Sequence, residues 1–101
     1  MRLLITVRIR MKSEEAGGRH ASFTEGYCPH LVVSGHSEWL PVRATHCPGP
    51  VAPGDEAEVV FAWMNGSALD HSALQADATF EVMEGPRMVG NGCIIEKRFE
   101  V

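Results

Sequence analysis

The residues able to do chemistry gather in two short stretches. GGRHASFTEGYCPHL at 17–31 holds Arg19, His20, Cys28 and His30, and the adjacent pair His46-Cys47 follows. Cysteine and histidine are zinc ligands, and structural zinc sites present two properly spaced pairs. Cys28 and His30 are two apart, so on a strand they share one face. His46 and Cys47 are neighbours and point to opposite faces, a poor arrangement for chelating one ion. A metal-binding or enzymatic centre on Cys28, His30 and Cys47 is one reading; ordinary buried or surface cysteines and histidines are the other. Catalysis needs a nucleophile, a base and an orienting group together. The chain has no GxSxG nucleophile turn and no GxxxxGK(S/T) phosphate loop. The expectation is a non-catalytic protein without a cofactor.

Two tryptophans are further candidates, since exposed tryptophan favours interfaces. Trp63 ends the apolar run VVFAW and is expected in the core. Trp39, flanked by Glu38 and Leu40-Pro41, suits either a core or a recognition role. Cys93, ahead of Ile94 and Ile95, is expected to be a small core residue.

The elements that must position these groups are strands. Leu3, Ile5, Val7, Ile9 and Met11 alternate with Arg2, Thr6, Arg8, Arg10 and Lys12, the period-two signature of a half-buried strand. Its outer face carries four cations, which form a solvated face that blunts an edge or a local basic patch. Further extended segments are expected at about 28–33, 38–45, 57–63, 78–84 and 87–99, separated by Ser34-Gly35, Pro48-Gly49-Pro50 and Pro53-Gly54-Asp55 turns. Only SALDHSALQ at 67–75 has helical spacing, and it is too short to be a stable helix alone; a single turn or ordered loop is expected. Asn65-Gly66 and Asn91-Gly92 are hairpin dipeptides, although VGNGC could equally mark a bulge within one strand. Six short strands at this spacing predict an all-β fold, a barrel or sandwich, in one domain over 1–101.

Composition narrows the partners. The 101 residues carry a net charge of −4, which gives no broad positive field for nonspecific nucleic-acid binding. No run approaches the roughly 20 apolar residues that span a bilayer, and the alternating start does not read as a signal peptide. Three cysteines, an odd count, argue against a secreted disulfide framework and for a cytoplasmic location.

Taken in order, GGRH at 17–20, Phe23, Gly26-Tyr27 and Pro29, PGD at 53–55 and FEVMEGPRMVGNG at 80–92 form a set. The set resembles the third, C-terminal β-barrel domain of bacterial elongation factor Tu, over about residues 8–96. The resemblance implies a six-stranded antiparallel barrel. It implies that Tyr27 packs under a Gly-Tyr-x-Pro corner, that Pro29 starts a strand, and that Asn91-Gly92 is a bulge. In that family the barrel is not catalytic; with its neighbour domains it contacts the T-stem backbone of aminoacyl-tRNA, and it touches the exchange factor and the GTPase domain. Arg19 and His20 inherit a tRNA-contacting suggestion, and Arg87 stands where the family has arginine. The sequence departs from the family at Cys28, His30 and Pro86, and the GTPase domain and second barrel are absent. A binding role through protein–protein contacts follows, translation-linked or antitoxin- or immunity-like, with self-association a further expectation. The alternative is weak binding of tRNA or structured RNA through Arg19 and His20, with Arg8, Arg10 and Lys12. The residues expected at an RNA or partner interface are Arg19, His20, His30, Trp39 and Arg87.

Overall fold

A computed structural model describes residues 2–64 and 70–101. Its strands are β1 (Arg2–Met11), β2 (His30–Val33), β3 (Leu40–His46), β4 (Glu56–Trp63), β5 (Thr79–Glu84) and β6 (Arg87–Glu100). They close into one antiparallel barrel in the order β1-β4-β3-β2-β5-β6. The expected all-β barrel is what the chain forms. β1 is the keystone, because it pairs with β4 on one side and β6 on the other.

The alternation in β1 sets the inside. Leu3, Ile5, Val7, Ile9 and Met11 point into the core with Leu31, Val42, Phe61, Phe80, Val82 and Ile94. Small residues on the closing strand make room for large ones. A Cβ on Gly92 would sit 2.5 Å from the Arg8 carbonyl oxygen and 2.6 Å from the Phe80 ring, so only glycine fits.

The outer face of β1 is less solvated than its alternation implies. Leu4 and Thr6 lie on that face and are nonetheless buried. Leu4 stands opposite Ala62 and Arg98, and Arg98 Nη1 donates to Thr6 Oγ1 at 3.3 Å. Long side chains on one strand thus cover apolar surface on the next. Cationic exposure is confined to Arg2 and the Arg8–Arg10 half, where Arg10 Nη2 meets Glu56 at 2.8 Å.

Two expectations need correction. Asn91-Gly92 is neither hairpin nor bulge: Asn91 pairs with Arg10 and Gly92 with Ile9 in regular register. The bulges lie on either side of it. The step from Thr6↔Glu96 to Val7↔Ile94 leaves Ile95 as an extra residue, and the step from Val82↔Gly90 to Met83↔Met88 leaves Val89. Cys93 is not in the core either. Gly92 and Ile94 face inward, so the pleat turns Cys93 outward, where it is partly exposed.

The segment with helical spacing falls partly outside the described residues, as does Asn65-Gly66 altogether. Residues 70–78 form turns, with Leu74 fully buried as a plug in the core. Asp77 N–H donates to the Ile94 carbonyl and Ile94 N–H to the Ala78 carbonyl, which brings the chain alongside β6 before β5 begins. Pro53-Gly54-Asp55 turns as expected, with Gly54 at φ +89° and the Asp55 carboxylate accepting from Ala52 N–H.

Candidate binding surface

The 12–29 connection is built from its glycines upward. A tight turn at Ser13–Gly17 brings Gly18 so near the Lys12 carbonyl oxygen that a Cβ there would lie 2.2 Å away. Close backbone passage at Gly18 sends Arg19 toward the β5–β6 hairpin. There Arg19 Nε meets Glu84 at 3.1 Å, and its guanidinium stacks 4.5 Å above the centre of the Tyr27 ring. Tyr27 in turn stacks on Phe23, with centroids 4.5 Å apart, and donates its hydroxyl to the same Glu84 carboxylate. Arg87 completes the junction by donating to the Gly18 carbonyl at 2.7 Å. Burial, reinforced by Glu84, pushes the Tyr27 phenol far above its ordinary range.

This junction is a latch. Arg19 is held inward, its side chain 22% exposed, with Nη1 buried and unpartnered among the described residues. Its neighbour is open to solvent: His20 is exposed, and its ring pairs with Glu14 at 3.1 Å. The GGRH stretch therefore splits, arginine for structure and histidine for solvent.

His30 and Trp39 are brought together elsewhere. Leu31 and Val33 point inward, so His30 points out, opposite Pro41 and Met83 on the flanking strands. The Trp39 ring lies 6.0 Å from the His30 ring and is 40% exposed. Trp63 is buried, as its position predicts.

The cysteines stand apart from one another in role. Cys28 is exposed and lies ahead of β2, outside the strand that would have set it on one face with His30, with its thiol toward the Gly26 carbonyl. Cys47 is half-buried; burial, then the charge of Glu25, raises its thiol pKa. The Glu25 carboxylate accepts Cys47 N–H at 2.8 Å, and backbone hydrogen bonds hold its pKa below the usual range. Among the described residues no group of three or more histidine, cysteine or acidic side chains could hold a metal ion, so Cys28, His30 and Cys47 are not brought into one.

Sequence reasoning missed two features. Glu84, the acceptor shared by Arg19 and Tyr27, carries no local signal beyond preceding Gly85. An open groove of about 530 Å³ on the β3–β4 side is lined by Arg2, Arg43, His46, Trp63, Met64 and Glu25, drawn from four separate stretches of chain.

The fold defines a class, a small closed antiparallel β-barrel. No family model matches the chain. Among the described residues no helix is long and apolar enough to cross a membrane.

Proposed function

We propose that this barrel is a non-catalytic binding module acting through protein–protein contacts, like the third domain of elongation factor Tu that its punctuation resembles. Its setting is translation, or an antitoxin- or immunity-like mimicry of a translation-factor surface. The observation that carries the reading is the His30–Trp39 pair, an exposed tryptophan beside an imidazole on the outer wall of a rigid barrel. Tryptophan in such a position supplies the large, ordered contact area on which protein interfaces depend.

The cations support a protein partner over RNA. Arg2, Arg10, Arg19 and Arg98 each face a glutamate, which leaves fewer positive charges for phosphate than the sequence alone suggests. The metal-centred reading gains no support, given where Cys28, His30 and Cys47 lie.

The test is capture of partners by the immobilised protein, with and without RNase, alongside Trp39→Ala and His30→Ala. A protein retained after RNase and released by Trp39→Ala is the expected result. Capture of tRNA that weakens steeply with salt and is lost in His20→Ala would replace this reading with the RNA one.

A further inference from the structure

The closing strand is longer than the barrel needs. β5 pairs with β6 only from Arg87 to Cys93, whereas β6 continues to Glu100 against β1. On the side facing away from β1, the last backbone bonds are those of Ile94 to Asp77 and Ala78. Beyond them, the backbone of Glu96–Glu100 has no partner on that side among the described residues. Such an edge is a template for another strand.

The side chains on this edge decide which strand fits. Arg98 and Glu100 lie on the outer face, opposite Leu4 and Arg2. Phe99, opposite Leu3, lies on the inner face, where its ring meets His71 at 6.3 Å and His71 meets Trp63 at 5.6 Å. Phe99 is nevertheless 55% exposed, an apolar ring half-covered by its own chain.

We infer that the Glu96–Glu100 edge of β6 pairs antiparallel with the same edge of a second copy, with Phe99 at the two-fold axis. A continuous sheet across a two-fold axis places one residue opposite its own copy and keeps each face on its own side. An axis at Glu96, Lys97, Arg98 or Glu100 sets a charge directly against itself, which is destabilising. An axis at Phe99 sets ring against ring. It also places Arg98 opposite Glu100 of the second copy and Glu100 opposite Arg98 of the second copy. The Arg2–Glu100 contact, 3.7 Å within one chain, then continues into a charge ladder across the junction. Among these five positions, only this register has no like-charge opposition. The same charges that discourage arbitrary strands thus select the self-pairing.

The pairing uses neither His30 nor Trp39, so it stands or falls separately from the partner surface. Sedimentation equilibrium of the full chain over a concentration series is the first measurement. The expected result is a dimer. Arg98→Glu or Glu100→Arg alone should weaken it roughly tenfold to a hundredfold, since each turns two attractions into two repulsions. An equal mixture of the two variants should restore the dimer, because the opposed charges are complementary again. With Cys28, Cys47 and Cys93 changed to serine, Phe99→Cys should oxidise to a covalent dimer, which keeps the test alive if a charge variant fails to fold. A wild-type chain that stays monomeric to its solubility limit overturns the proposal. So does a dimer that is indifferent to both charge changes, or a Phe99→Cys protein that forms no cross-link.

Discussion

The Arg19 latch and the His30–Trp39 pair are built from the same kinds of residue and put to opposite uses. At the latch, a cation, two stacked rings and one carboxylate are turned toward one another, and only a fifth of the Arg19 side chain meets solvent. At the His30–Trp39 pair, an aromatic and an imidazole stand beside each other on the outer wall, with Trp39 40% exposed. Residue type says that a group can bind; the partner it has already found says whether it is available. An arginine paired inside its own fold is a strut, and its removal is felt in stability before it is felt in recognition.

The sharpest way to break this contrast is to remove the latch's shared acceptor. Glu84→Ala leaves Arg19 without its counter-charge and Tyr27 without its acceptor. After discounting for the partial exposure of both charges, the loss should be about 2 kcal/mol in urea unfolding. Tyr27→Phe removes one hydrogen bond and keeps the ring, at about 1 kcal/mol.

Tyr27 also gives the latch a pH signature. Its phenol is raised in the fold, so its contribution is intact below the unfolded tyrosine pKa of about 10 and declines as pH rises beyond it. The unfolded chain ionises first and is favoured. Because Tyr27 is the sole tyrosine, phenolate absorbance reports it directly. The native protein should resist ionisation well above pH 10, and Tyr27→Phe should abolish that part of the alkaline loss.

Trp39→Ala is the counter-test. It should change stability by less than about 0.5 kcal/mol, as for an exposed site, while lowering partner affinity at least about tenfold. His20→Ala, on an exposed ring paired with the exposed Glu14, should leave the unfolding midpoint unchanged. If Trp39→Ala destabilised the protein as much as Glu84→Ala, the division between strut and contact would collapse.

The barrel was largely legible because period two is a backbone property: Leu3 to Met11 alternate, and turn glycines and prolines punctuate the rest. What escaped was set by register. Cys93 faces outward, and Asn91-Gly92 runs straight, because bulges elsewhere fix the pleat; no local pattern records where they fall. The latch was half-visible. Tyr27 under its Gly-Tyr-x-Pro corner was expected, but the inward turn of Arg19 depends on Glu84, 65 residues away in the chain. The groove between Arg2 and Arg43 was beyond sequence reasoning for the same reason, since strand order brings its walls together.

The position of β1 between β4 and β6 also has a bearing on how the chain acquires its shape. Its apolar residues are made before those of either neighbour, β4 following later and β6 later still. Pairings this distant in sequence are slow to form, because long loops must be closed before any contact compensates. Until β6 emerges from the ribosome, Leu3 to Val7 have no complete shelter and are open to wrong associations. Synthesis therefore sets the earliest moment of folding, and a chain stalled before Arg87 should be recognised by chaperones as unfinished.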